Sequence, residues 1–194
     1  MSTTASRGFQ PAGRAPAPQP LDLVQDFVNT EIPDFAQDDI ATPEELGEWL
    51  RSRSLLGDEA VDADSFVTAR AFRDVLRSLA LQNTLGRPPG ARLRGEFDRV
   101  ASGLRLRVEM GESGELRLAP DGEAGTRALA AILVHVLDAQ ASGAWSRMKA
   151  CRKEGCGWLF YDASRNASST WCSMSICGNR TKTAEYRRRR RSGS

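Results

Sequence analysis

Apolar residues recur with a helical period along most of the first 145 positions. Leu21, Val24 and Val28 share one face of a predicted helix, with Phe27 beside them. The same period predicts four further helices, over about 43–56, 64–85, 93–101 and 126–143. The larger part of the chain is therefore predicted to be a helical domain.

Residues at the helix ends support these limits. Thr42 is a predicted cap, Pro43 suits the first helical position, and Glu45 stands three residues after the cap, as a capping box requires. Asp64 is the predicted cap of the next and longer helix, and the GRPPG segment at 86–90 ends it.

After position 103 the apolar period changes from helical spacing to two. The segment LRLRVEM at 104–110 alternates apolar residues with charged ones, GESGE provides a turn, and LRLA at 116–119 alternates again. We expect Leu104, Leu106 and Val108 to face the core. A two-stranded sheet is marginal alone, so the hairpin must pack on the helices. The fold class is therefore α+β, with a mostly helical domain over 21–145 that carries one small antiparallel β-hairpin.

The two ends of the chain have few residues that a core can bury. Residues 1–20 are rich in Pro, Ala, Gly and Ser, and we expect a disordered arm in which Arg7 and Arg14 are solvated. Residues 192–194 form a short tail. No apolar run approaches the ~20 residues of a membrane helix, and the arm lacks the apolar region of a secretory signal. We expect a cytoplasmic protein.

Charge is distributed unequally along the chain. Residues 151–194 contain ten Lys and Arg against three Asp and Glu, a net charge of +7, whereas the whole chain carries +2. Residues 1–150 therefore carry −5. This asymmetry predicts a polyanionic partner for the C-terminal end alone.

All four cysteines lie in that basic end, in the pattern Cys-x4-Cys, fifteen residues, Cys-x4-Cys. Two such pairs brought together give the closed tetrahedral sulfur shell of structural zinc. The predicted ligands are Cys151, Cys156, Cys172 and Cys177. A module of some forty residues buries too little surface to be stable without such a cross-link. A thiol redox switch and unrelated buried cysteines are the alternatives.

A basic segment follows the last cysteine directly. GNRTKTAEYRRRRR has no helix breaker, and Asn179 or Thr181 is its predicted helix cap. Arginine side chains match phosphate oxygens and guanine edges. The predicted phosphate contacts come from the basic residues Arg180, Lys182, Arg187, Arg188, Arg189, Arg190 and Arg191. A solvated, frayed tail is the alternative for the arginine run.

The segment from Met148 to Arg190 closely resembles the CGNR zinc finger family, named for the tetrapeptide at 177–180. The resemblance includes the Trp-Cys-Ser-Met stretch at 171–174. The larger, N-terminal part of the chain resembles the ABATE domain, through DFVNT at 26–30 and the helix around Trp49. The resemblance implies a bacterial, stress-linked transcription regulator with one structural Zn²⁺ and a DNA-binding zinc ribbon-like module over 146–191 that ends in a basic helix.

The resemblance also assigns residues and partners. It places the four zinc ligands on the four cysteines, and it adds Asn179 beside Arg180 to the expected DNA contacts. Members commonly have basic residues before the Trp-Cys pair, where this chain has uncharged 167–170, so we expect weak phosphate contact there. DNA is the expected partner, with the protein on the nucleoid when bound. The helical domain is expected to sense a ligand or to form a homodimer.

Two other classes of function remain open at this stage. The second class is a protein-interaction module, in which the zinc ribbon binds RNA polymerase or another transcription protein instead of DNA. A thiol and zinc redox sensor is the third class. We expect no enzyme, because no activated nucleophile with a partner base is visible and a fully liganded zinc has no open position.

Overall fold

The computed structural model describes residues 9–183 of the 194-residue chain. The first eight residues of the expected arm, the arginine run Arg187–Arg191 and the tail at 192–194 lie outside the described residues. The expectations for these segments therefore stay predictions.

Five α-helices lie wholly within the described range: α1 (Leu21–Val28), α2 (Pro43–Arg51), α3 (Ala63–Leu85), α4 (Ala91–Ala101) and α5 (Ala124–Ala141). The capping box of α2 is confirmed, because Thr42 and Glu45 exchange side-chain and backbone hydrogen bonds. The prediction that Asp64 caps α3 is wrong. Asp62 is the cap, because its carboxylate accepts hydrogen bonds from the Ser65 amide and hydroxyl. None of the described helices has the length and apolar character that crossing a membrane requires.

Three separate antiparallel strand pairs accompany the helices. They are β1 (Glu31–Ile32) with β2 (Gln37–Asp38), β3 (Arg105–Met110) with β4 (Leu116–Asp121), and β5 (Met148–Ala150) with β6 (Leu159–Tyr161). The predicted hairpin is β3–β4, so the mostly helical α+β fold class is confirmed. The β1–β2 pair was not predicted, because strands of two residues are too short to show an alternating pattern.

The core of the helical domain lies between α1, α3 and α5. Phe27, Phe72 and Ile132 are fully buried there, and the rings of Phe27 and Trp49 lie 5.6 Å apart. The packing of these helices follows from the apolar faces that the sequence shows.

One charged side chain is buried in this core. Arg73 on α3 is 1% exposed, and its guanidinium donates to both carboxylate oxygens of Asp38 at 2.6 and 3.0 Å. It also donates to the Thr30 hydroxyl at 3.2 Å. These bonds compensate the cost of burying the charge, and they join the β1–β2 pair to α3.

The outer half of the β3–β4 hairpin is not buried, which corrects the expectation for Val108. Leu104 is buried and Leu106 packs on the core, but only this base of the hairpin reaches the helices. Beyond it two apolar cross-strand pairs face solvent, Val108 with Leu118 and Met110 with Leu116.

The β5–β6 hairpin packs directly on the helical domain. The Asn29 side chain accepts a hydrogen bond from the Leu159 amide at 2.7 Å and donates one to its carbonyl at 2.9 Å. On the other side, Asn83 donates to the Met148 carbonyl and Thr84 to the Ala150 carbonyl. Side-chain amides and hydroxyls of the helices thus satisfy the backbone groups of short strands.

The expectation of a disordered arm is wrong for residues 9–20. Ala17 is buried, and its amide donates to Gln25 Oε1 at 2.7 Å. Arg14 is half-buried, and it bonds to residues 147–158 positions away in the sequence. Composition reports only local tendencies, so it does not reveal partners at that separation. We call residues 9–17 the strap.

Replacing Asn29 with alanine should lower the free energy of unfolding by about 2–4 kcal/mol, because a buried amide and a buried carbonyl of Leu159 both lose a partner. Urea unfolding of the full chain measures the change. Asn166→Ala, at an exposed loop position, is the matched control and should change the value by less than about 0.5 kcal/mol. Equal effects of the two substitutions would contradict this account of the interface.

Candidate metal centre

The four cysteines come together at one buried point. Their sulfur atoms all lie within 4.8 Å of one another, and every one of the four residues is buried. Neighbouring sulfurs are 3.6–3.8 Å apart, from Cys172 to Cys177, Cys177 to Cys156 and Cys156 to Cys172. A tetrahedron with Zn–S bonds of about 2.3 Å has edges of about 3.8 Å, whereas a disulfide requires about 2.05 Å. The donor set and its spacing fit zinc.

The first cysteine pair lies at the tip of the β5–β6 hairpin. Cys151 directly follows β5, and its amide donates to the Trp158 carbonyl at 2.9 Å. Cys156 stands in the turn between the strands, where Gly155 and Gly157 both have positive φ, +80° and +58°. The two glycines allow the chain to turn sharply enough for both sulfurs to face the same point.

The second pair is carried by a loop and a helix. Cys172 lies in the loop, and Cys177 lies inside a π-helical turn (Met174–Gly178) that continues helically through 179–183. The prediction that Asn179 or Thr181 caps this helix is wrong. Ser173 is the cap, because its hydroxyl accepts from the Ile176 amide and the helix starts before the last ligand.

Hydrogen bonding and burial shift the pKa values of the cluster cysteines in different directions. Hydrogen bonds from the Cys156 and Cys172 thiols lower the pKa of Cys151 well below its usual range, whereas burial raises the pKa of Cys177. The cluster therefore accepts one negative charge readily, but four thiolates require a cation to neutralise them.

A buried ion pair supports the loop between the two cysteine pairs. Lys149 Nζ lies 2.9 Å from Asp162 Oδ2, with both side chains at most 5% exposed. Burial raises the pKa of Asp162, but hydrogen bonds from Ser164, Lys149 and the Ser169 amide outweigh it, so the net pKa lies below its usual range. Lys149 also donates to the Ala167 and Ser169 carbonyls. Lys149 thus holds the uncharged loop at 167–170 against β5.

The structure places three of the predicted DNA contacts on the surface. Asn179, Arg180 and Lys182 are exposed on the helical turns after Cys177. Arg187–Arg191, expected to continue this surface, lie outside the described residues. The sequence interpretation missed the contribution of the strap, where Gln10 accepts from Trp158 Nε1 at 3.1 Å and Arg14 bonds to three carbonyls of the module.

Comparison with family models agrees with this geometry. Residues 21–143 match the ABATE model, described as "Putative stress-induced transcription regulator". The chain belongs to the ABATE family. Residues 147–190 match the CGNR zinc finger model, and that range contains all four clustered cysteines. The sequence matches none of the curated proteins.

In this ABATE family member the two sequence signatures have structural meanings. The DFVNT stretch contributes Asn29 and Thr30, which bond to the zinc finger hairpin and to Arg73 respectively. The CGNR tetrapeptide begins with the buried Cys177 and ends with the exposed Arg180. The DFVNT stretch therefore holds the zinc finger against the helical domain, and the CGNR tetrapeptide connects a predicted metal ligand to the basic surface.

Substitution of any one cluster cysteine by serine should abolish tight zinc retention, because three thiolates leave the ion open to water and chelators. Elemental analysis of purified protein should give one zinc per chain for the parent and less than about a tenth of that for Cys177→Ser. Ser168→Ala, at an exposed position of the loop between the pairs, should keep its zinc. Full zinc content in Cys177→Ser would contradict the assignment of this ligand.

Proposed function

We propose that the protein is a DNA-binding transcription regulator whose zinc ion is structural. The four cysteines hold one Zn²⁺, which fixes the direction of the helix that starts at the second pair. Asn179, Arg180 and Lys182 on that helix meet DNA, and the arginines at 187–191 extend the contact along the phosphate backbone.

The observation that carries this proposal is the position of the last ligand inside the basic helix. Cys177 is buried in the sulfur cluster, and Arg180 follows it by less than one helical turn. Thr181 donates from its hydroxyl to the Cys177 carbonyl at 2.8 Å, which stiffens the same turn. A cation bound at the cluster would therefore orient the first basic side chains directly.

Charge supports DNA as the partner. The C-terminal 44 residues carry +7 and the rest of the chain carries −5. DNA phosphates attract the C-terminal residues and repel the rest of the chain, so the zinc module faces the DNA when the protein approaches it. The uncharged loop at 167–170, with Ala167 and Ser169 carbonyls on Lys149, contributes little to this contact.

A protein partner is the second candidate, and one observation favours it. Met174 and Ile176 are 46% and 42% exposed on the turn that also carries Cys177. Apolar side chains beside basic ones suit a groove on a transcription protein such as RNA polymerase. The redox-sensor alternative rests on the clustered thiols alone, so it is the third candidate.

We further propose that the helical domain forms homodimers through the outer half of the β3–β4 hairpin. Val108, Met110 and Leu116 are 67–72% exposed, and with Leu118 they form one uncharged face. On the opposite face, the carboxylate of Glu109 pairs with Arg107 and Arg117. A second copy brings an identical apolar face without placing unpaired charges of the same sign together.

The size of this face sets the strength of the dimer. Four side chains expose on the order of 400 Å², which is typical of an interaction site on a monomer. Two copies would bury on the order of 800 Å² there, less than the ~1,200 Å² of a stable interface. We expect a weak dimer whose population depends on protein concentration, and DNA with two sites would favour it.

Binding to duplex DNA should weaken steeply with salt, and Arg180→Ala should reduce the slope of log K against log salt by about one unit. Replacing all of Arg187–Arg191 by alanine should reduce it by several units. Fluorescence anisotropy across a salt series measures these slopes. Arg92→Ala, which removes an exposed charge from α4, is the charge-matched control and should leave the slope unchanged.

An unchanged affinity and slope after substitution of Arg180 and Arg187–Arg191 would contradict direct DNA binding. Co-purification of a transcription protein that survives nuclease treatment, and that is lost in Met174→Asp, would then support the second candidate.

Leu118→Lys should abolish dimerisation, because it places a charge in the centre of the apolar face. Sedimentation analysis from low to high micromolar protein should show a rising average mass for the parent and a constant monomer mass for the variant. Val67→Lys, at an exposed valine on α3, should behave as the parent. A parent that stays monomeric throughout would contradict the proposal.

A further inference from the structure

The strap contacts the metal centre through one arginine. Arg14 donates from Nε to the Cys172 carbonyl at 3.1 Å, from Nη1 to the Tyr161 carbonyl at 3.3 Å and from Nη2 to the Trp171 carbonyl at 3.3 Å. Its guanidinium carbon lies 4.5 Å from the centre of the Phe160 ring. The planar fork of one side chain therefore joins three backbone carbonyls and an aromatic face.

These partners belong to the two halves of the zinc module. Tyr161 and Phe160 belong to β6, which follows the first cysteine pair, whereas Trp171 and Cys172 belong to the loop of the second pair. The Arg152 amide bonds to the Thr170 carbonyl and Lys149 to the Ala167 and Ser169 carbonyls, so these halves have other links, whereas Arg14 connects them at the carbonyl of Cys172 itself.

The rest of the strap holds Arg14 in place. The Phe9 ring meets Trp158 edge-on at 5.9 Å, and Gln10 Oε1 accepts from Trp158 Nε1. At the other end Ala17 bonds to Gln25, whose side chain also donates to the Leu159 carbonyl at 3.3 Å. The strap therefore bridges α1 and the zinc module, and it lies outside both ranges that the family models match.

Among the four ligands, Cys172 is the one that Arg14 contacts. Cys151 directly follows β5, Cys177 lies in a helix, and the Cys156 amide bonds to the Lys153 carbonyl within its own turn. Cys172 lies in a loop without regular structure. Thr170 and Ser173 on either side of it are bonded within the module, and the hydrogen bond from Arg14 Nε is made at its own carbonyl.

We propose that the strap stabilises the metal centre, because Arg14 positions Cys172 and thereby slows the release of zinc. The second half of the module opens only when Arg14 leaves its three carbonyls. Because coupling between two sites is reciprocal, zinc in turn holds the strap in place. The proposal rests on the zinc centre and is independent of whether the partner is DNA or protein.

The rate of zinc transfer from the full chain to excess chromogenic chelator tests the first half of the proposal. Arg14→Ala should release zinc about tenfold faster than the parent, the lower end of the effect of groups that orient metal ligands. Arg14→Lys should fall between the two, because an ammonium keeps a donor but loses the fork. Release from Arg14→Ala within twofold of the parent would overturn the proposal.

Arg53→Ala separates this effect from a general loss of stability. Arg53 also stacks on an aromatic ring, with its guanidinium carbon 3.9 Å from the Trp49 ring centre, and it pairs with Asp26. It belongs to the helical domain rather than to the zinc module. Its removal should lower the melting temperature without changing the zinc release rate. Equal acceleration in both variants would reduce the role of Arg14 to general stability and overturn the proposal.

Trypsin tests the reciprocal half on the unmodified chain, because the bond from Arg14 to Ala15 is cleaved only if the guanidinium leaves its carbonyls. Mass spectrometry should show slow cleavage there in the zinc-loaded protein and at least about tenfold faster cleavage after chelation. Cleavage after Arg77 in α3 reports unfolding of the helical domain and should stay slow in both states. Equal cleavage after Arg14 with and without zinc would contradict the coupling.

Discussion

The two hydrogen bonds between the Asn29 side chain and the Leu159 backbone decide how the halves of this protein are joined. Leu159 begins β6, a strand of three residues with a single strand partner, so one of its edges needs donors and acceptors from elsewhere. The Asn29 amide supplies one of each, as a neighbouring strand would. Removal of this contact would leave the buried Leu159 amide unpaired, whereas its carbonyl would keep the bond from Gln25.

The rest of the zinc module also has few apolar contacts of its own. Its own apolar cluster consists of little more than the cysteines, Trp158 and Phe160. The module compensates with polar contacts from outside, including Asn83, Thr84 and the strap, and with the Lys149–Asp162 pair inside. Such contacts fix geometry more strictly than apolar packing does, because a displaced partner leaves a buried charge or carbonyl unsatisfied.

Local patterns in the sequence predicted the helices, the β3–β4 hairpin and the gathering of the cysteines, because period, caps and ligand spacing are properties of neighbouring residues. They failed where a partner is distant. The composition of the strap is poor in apolar residues and predicts disorder, although Arg14 bonds to the Cys172 and Trp171 carbonyls. Alternation predicts that Val108 faces the core, because it identifies an apolar face but does not show how far the helices extend beneath it.

The junction between the two family matches falls at 143–147, where a short 3-10 turn (Ala144–Arg147) leads from α5 into β5. That junction separates two family matches, but hydrogen bonds cross it. Gln10, Asn29 and Thr84, all outside the zinc finger range, complete the hydrogen bonding of residues inside it. Joining this finger to an unrelated domain would therefore transfer its ligands without the contacts that support them.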